Sequence, residues 1–227
     1  MPIILGLLFI VALAVLPTFW VRAVLARHRG DRPDFPGTGG ELARHLLDGM
    51  GLNAVKVEET AAGDHYDPDV KAVRLLPAHY NGRSLTAVVI AAHEVGHAMQ
   101  DATHSGMLKT RTRLAKAAVI IEQVGGVVML AAPLLAIVLR HPAGFLLELG
   151  AGFVILSLSV VLNLASLPNE FDASFNRALP VLRQGGYIPD KDLPAARSIL
   201  RAAAFTYVAA ALMSMINIAR WLRIFRL

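Results

Sequence analysis

Cysteine is absent from the 227 residues. That excludes disulfides and every thiolate metal site, so any bound metal must be held by histidine, aspartate or glutamate. Charge is also sparse, at 17% of residues against 55% hydrophobic, and mean hydropathy is positive, which is unusual for a soluble protein. A net charge of +5 would suit nucleic acid, but no basic face carries interleaved aromatics. The basic residues stand at the ends of apolar runs, as in Arg22, Arg27 and Arg29 or Lys109, Arg111, Arg113 and Lys116, where anchoring on anionic lipid is the simpler account. No internal repeat or low-complexity tract is evident.

The apolar runs themselves are long. Ile3 to Leu25 is of roughly bilayer-crossing length, and its positive charge follows the run, opposite to a signal peptide. The expectation is an uncleaved first transmembrane helix with a tolerated Pro17 kink. Val124 to Leu139 and Leu149 to Leu167, joined by a short turn at His141-Pro142, read as a transmembrane hairpin, with Glu122 marking where the first run meets water or protein. Asp31 to Gly40 reads as a linker, Glu41 to Met50 as a helix stopped by Gly51, and Val55 to Val57 and Ala72 to Leu76 as strands. Gly63 to Pro68 reads as a turn. Ser84 is a plausible N-cap for a helix beginning near Leu85. Phe171 to Gln184 is polar enough for a helix outside lipid. A last apolar helix opened by Pro194 either spans, lies in the interface or packs on its neighbours. Basic-residue placement puts Arg27, Arg29 and Lys109 to Lys116 on the cytoplasmic side, while Arg220, Arg223 and Arg226 disagree if the last helix crosses.

The chemistry is concentrated in His93-Glu94-Val95-Gly96-His97. Histidines four apart share one helix face, one turn from each other, so both imidazoles can reach one zinc ion. The glutamate between them can polarise a metal-bound water. The flanks Ile90-Ala91-Ala92 and Ala98-Met99 are uncharged, as a buried metal helix requires, and Gly96 leaves room for a backbone or substrate to pack closely. A catalytic tetrahedral site needs a third protein ligand. The metzincin position holds Thr103 instead of histidine, and the Leu-Asp-Gly of site-2 proteases is absent. Asn169-Glu170 opens a later helix, which is how gluzincins supply their third ligand.

Asp64-His65-Tyr66-Asp67-Pro68, Asn81-Gly82-Arg83-Ser84, Ala91 to Gln100, Glu170-Phe171-Asp172-Ala173-Ser174 and Thr206 to Leu212 together closely resemble the YugP-like family of bacterial membrane zinc metallopeptidases. The resemblance runs over nearly the whole chain. More distantly the chain is similar to the HtpX-type integral-membrane gluzincins. The resemblance implies zinc ligands at His93, His97 and Glu170, with Glu94 as general base. In the distant group an aspartate stands four residues after the glutamate, where this chain has Ser174. Asp172 then either orients a ligand histidine, serves as a plain structural carboxylate, or exchanges roles with Glu170.

Arg177, seven residues after Glu170 and on the same helical face, either stabilises an oxyanion or forms a salt bridge near the ligand. Tyr187, His79 and His104 are weaker candidates, better read as surface groups. The strand Val73 to Leu76 either offers an edge to an extended peptide or is an ordinary core strand. The expected fold is mainly α and integral to the membrane, with a small α+β zincin-like catalytic domain. Residues 1–28 form an N-terminal transmembrane helix and residues 29–116 a domain with the His-Glu-x-x-His helix. Residues 117–168 form the hairpin, and residues 169–227 the third-ligand helix and a C-terminal apolar helix. The expected function is a zinc-dependent endopeptidase in the bacterial inner membrane. Its site would face the cytoplasm, its partners would be membrane-associated protein substrates and the lipid bilayer, not nucleic acid, and its expected role is in membrane-protein quality control. The alternative is a zinc-stabilised scaffold that binds clients without cutting them. A transporter would carry ionisable residues in mid-span, and apart from Glu122 and Glu148 few are seen.

Overall fold

Ser84 caps the central helix of the protein: its Oγ accepts the backbone N–H of Ala87 at 3.1 Å, which satisfies one of the orphan donors of a helix start. In the computed structural model, which describes residues 2–103, 106–139 and 142–215, the chain runs α1 (Pro2–Arg27), α2 (Gly39–Gly49), β1 (Lys56–Glu59), β2 (His65–Asp67), β3 (Ala72–Leu75), α3 (Pro77–Tyr80), α4 (Leu85–Ala102), α5 (Gly106–Leu139) and α6 (Pro142–Phe171). A π-helical segment (Asp172–Ala178), α7 (Leu179–Gln184) and, after a single 3-10 turn, α8 (Leu193–Met215) complete it. His104, His141 and the arginines beyond Met215 lie outside the described residues. The fold is mainly helical with one three-stranded sheet, and the chain forms two compact units.

One unit comprises Trp20–Lys109 and Leu167–Phe205. Its axis is α4, whose residues Leu85 to Ala98 are all buried. With no charge before Glu94, this helix has no face that needs water. Around it pack Leu46 and Leu47 of α2, Val73 and Leu75 of β3, and Ile199 and Leu200 of α8. Helix α2 starts in a reciprocal capping box, Thr38 with Glu41.

The sheet order is β1-β3-β2, with β1 parallel and β2 antiparallel to β3. Three expectations are corrected here. β3 is the central strand, with Val73 paired to Val57 on one side and Tyr66 on the other, so it offers no free edge to a peptide. The stretch expected as a turn at Gly63 to Pro68 contains β2. The reversal comes later, where the Asp67 carboxylate accepts the N–H groups of Asp69 and Val70 and Lys71 adopts φ 55°. His79, expected at the surface, is buried, and its Nδ1 lies 2.8 Å from Asp64 Oδ2.

The other unit comprises Met1–Phe19, Thr110–Ser166 and Thr206–Leu227. Helix α1 continues through Pro17. Thr18 Oγ1 donates to the Ala209 carbonyl at 3.0 Å, the Arg111 guanidinium lies over the Tyr207 ring, and Ser159 Oγ donates to Glu122 Oε1 at 2.7 Å. One polar neighbour of Glu122 is thus a protein hydroxyl on α6. Val119, Ile120, Val124 and Val127 on α5, and Val154, Leu158, Val161 and Leu164 on α6, are exposed. Among the described residues two helical stretches, Gly150–Gln184 and Asp190–Met213, contain windows long and apolar enough to cross a membrane. Half of the second window is buried within the protein, because Ala196, Ile199 and Leu200 face the core.

Candidate metal centre

His93 and His97 stand one turn apart on α4 with their rings 4.8 Å apart. Facing them, the last turn of α6 presents Glu170, whose Oε2 lies 3.1 Å from His97 Nε2 and 3.4 Å from His93 Nε2. These three groups offer ligand atoms that all lie within 4.8 Å of one another. His93 and His97 are each 2% exposed and Glu170 is 0% exposed. A carboxylate so buried is costly without a compensating charge. The set fits zinc: two imidazoles and a carboxylate can supply three ligands to a tetrahedral ion and leave one position over, and tetrahedral donors at about 2.0–2.1 Å from zinc stand about 3.3 Å apart.

The close approach of the two helices depends on Gly96. A Cβ there would lie 2.6 Å from the Ala173 carbonyl oxygen, so the backbone of the π-helical segment rests directly on α4. The room that the glycine leaves is filled by protein backbone. π-helical turns inside α-helices are rare and recur at functional sites. Here the wider turn begins two residues after Glu170.

The other nitrogen of each histidine is also engaged. His93 Nδ1 lies 3.0 Å from Ser174 Oγ, which is 3.3 Å from the Leu200 carbonyl. His97 Nδ1 lies 2.9 Å from Gln100 Oε1, and Gln100 Nε2 donates to the Asn169 carbonyl at 3.0 Å and to Asp172 Oδ2 at 2.8 Å. Asp172 does not join the two histidines. Its Oδ1 accepts from Asn176 at 3.0 Å and its Oδ2 from Arg177 Nε at 2.9 Å. Burial raises its proton affinity, but the bonds from Gln100, Asn176 and Arg177 outweigh this and hold the carboxyl below its ordinary value.

The structure thus brings His93, His97 and Glu170 together, with Glu94 buried on the same helix. Of the two readings of Arg177, the salt bridge near the ligand is the one seen: the π-helical turn makes residues five apart neighbours, and Arg177 pairs with Asp172, two residues after Glu170. Tyr187 bonds His45 through its hydroxyl at 3.0 Å and lines a cavity of about 490 Å³ with Phe35, Leu42 and Val88. Gln100 and Ser174 were not singled out from the sequence as partners of the histidines. The available signals were the i,i+3 spacing from His97 to Gln100 and the coincidence of Ser174 with the aspartate position of the distant group.

The comparisons with known proteins agree with this chemistry. The model of a family described as "putative neutral zinc metallopeptidase" matches residues 3–226. A Bacillus subtilis (strain 168) protein named "putative membrane protease YugP" is 38% identical over 190 residues, covering 83% of this chain and 80% of that protein. No solved structure matches. With nearly its whole length matched, the chain belongs to this zinc metallopeptidase family.

Proposed function

We propose that the protein is a membrane-bound zinc endopeptidase of the gluzincin type, with His93, His97 and Glu170 as metal ligands in a zincin-like catalytic domain. The observation that carries this is the position of Glu170 Oε2 within 3.4 Å of both Nε2 atoms, beside a buried glutamate on the helix that bears the histidines. Membrane attachment is supported by the two apolar helical stretches, by the exposed apolar rows of α5 and α6 and by the name of the Bacillus relative. The basic residues flanking α1 and opening α5 favour a site on the cytoplasmic side of the inner membrane in a multi-pass arrangement. Cleavable membrane-associated proteins, including those handled in quality control, are the substrates this placement suits.

A zinc ion held there would supply Lewis acidity, polarising the scissile carbonyl and making water a better nucleophile. Glu94 takes the proton from the attacking water as the C–O bond forms, and delivers it to the amine as the C–N bond breaks. Arg177, fixed through Nε by Asp172, has terminal nitrogens suited to a substrate carbonyl or its developing oxyanion.

Glu94→Gln tests the reading. General-base catalysis is worth about 10²–10⁴-fold, so the variant should keep one zinc per chain and lose peptide cleavage by at least about a hundredfold. Cleavage at the wild-type rate would defeat the mechanism. A wild-type protein that binds zinc but cuts no peptide with or without chelator would point instead to the non-catalytic scaffold.

A further inference from the structure

The amide of Gln100 can be oriented in only one way. The side chain is fully buried, and the two groups nearest its Nε2, the Asn169 carbonyl and the Asp172 carboxylate, are acceptors at 3.0 and 2.8 Å. Turning the amide over would put its oxygen against both of them. Oε1 therefore faces His97 Nδ1 at 2.9 Å. An amide oxygen only accepts, so His97 carries a proton on Nδ1, and in the neutral ring the Nε2 lone pair is directed at the Glu170 carboxylate. The hydroxyl of Ser174 donates to the Leu200 carbonyl at 3.3 Å and stands 3.0 Å from His93 Nδ1, where its oxygen is a fitting acceptor for the same tautomer. Both rings are thereby held in the same tautomer, with two nitrogen lone pairs and a carboxylate oxygen converging on one point. A metal cation suits that meeting.

We propose that Gln100 is a positioning residue, a neutral relay that locks the tautomer of His97 and couples the ring to the Asp172–Arg177 ion pair. This inference rests on the metal-centre reading above. A carboxylate bonded directly to a ligand histidine raises its basicity and can compete for its proton. Here the carboxylate acts at one remove. The amide passes on orientation without accepting the proton, and the negative charge of Asp172 is balanced locally by Arg177.

The test is a charge-and-donor swap read by zinc affinity, measured by competition with a chromophoric chelator, and by the visible spectrum of the cobalt(II)-substituted protein. Gln100→Glu removes the donor and sets a second carboxylate oxygen against Asp172. Repulsion from Asp172 and the Asn169 carbonyl should swing the side chain away, so that His97 Nδ1 loses its acceptor; zinc affinity should then fall by about 10–100-fold, the range for losing a partner of a ligand histidine, and the cobalt bands should shift. Adding Asp172→Asn returns a donor at that position, so the double variant should bind zinc at least several-fold tighter than Gln100→Glu alone and move the cobalt bands back toward those of wild type. Gln100→Leu should lose affinity without rescue by Asp172→Asn.

A Gln100→Glu protein that binds zinc like wild type, or a double variant no better than Gln100→Glu, overturns the relay. The wild-type protein and His93→Ala, run beside these, separate the two claims. If wild type holds no zinc, or if His93→Ala holds it equally well, the metal centre itself is wrong and the relay falls with it.

Discussion

A methyl group on Gly96 would stand 2.6 Å from the Ala173 carbonyl oxygen and 3.2 Å from its carbon. Both atoms are backbone, so no flexible side chain can move aside, and Gly96→Ala must push the π-helical segment off α4. Overpacking of this kind costs about 1–3 kcal/mol. Because Glu170 lies three residues before Ala173, we expect a lowered melting temperature together with a zinc affinity weakened by at least about tenfold, the lower end for disturbing a metal centre. Gly49→Ala is the control: nothing lies within 4 Å of its added carbon, so both quantities should hold or rise slightly. Equal effects of the two substitutions would show that the close contact is not what positions Glu170. At this scale the sequence was most legible where chemistry demands rare residues at fixed spacing, as at His93, Glu94 and His97. It was least legible at Gln100 and Ser174, because neutral polar residues occur everywhere and only three-dimensional proximity gives them a partner.

The sheet and α3 are joined by one side chain with two jobs. Asp64 accepts the Leu76 N–H at 2.8 Å with Oδ1 and faces His79 Nδ1 at 2.8 Å with Oδ2, so it joins the approach to β2 with the end of β3 and with α3. Asp64→Ala leaves a backbone donor and a buried imidazole without that acceptor, at a cost of about 1–3 kcal/mol each. The melting temperature should fall by about 4–8 °C or more, at about 2–4 °C per kcal/mol for a chain of this size. Asp64→Asn keeps one acceptor oxygen and should cost about half as much. If thermal unfolding ranks the two variants the other way, the double acceptor is not what holds α3 in place. Helix α4 was readable from its cap and its uncharged run, whereas two features of element scale were hidden. Strand order does not follow from chain order, so nothing in Ala72 to Leu75 showed that β3 is paired on both sides. Counting at 3.6 residues per turn cannot foresee a π-helical segment, and Arg177 consequently lands on Asp172.

For the whole molecule the question is what covers the exposed apolar rows. Ile120, Val124 and Val127 on α5 recur at helical spacing, as do Val154, Leu158 and Val161 on α6, with Val127 67% and Val154 68% exposed. Soluble monomers rarely tolerate extended apolar surface of this kind, and lipid is the occupant that the composition and the long apolar stretches favour. Two modes of attachment make different predictions. An interfacial protein held by its basic residues depends on electrostatics, which salt at about 1 M screens to about 3 Å, whereas spanning helices are held by burial of apolar area and ignore salt. We expect washing of membranes with 1 M salt, and then with alkaline carbonate, to leave the full-length protein in the pellet, and detergent to release it. Chelator treatment should not change this partition, because the apolar rows contain no metal ligand. The chelated protein should instead lose peptidase activity and melt at a lower temperature once solubilised, with zinc restoring both, since a ligand that binds only the folded state stabilises it in proportion to its occupancy. Release by salt alone would make the protein peripheral. Release by chelator would mean that the metal centre, and not the apolar helices, holds the chain at the membrane.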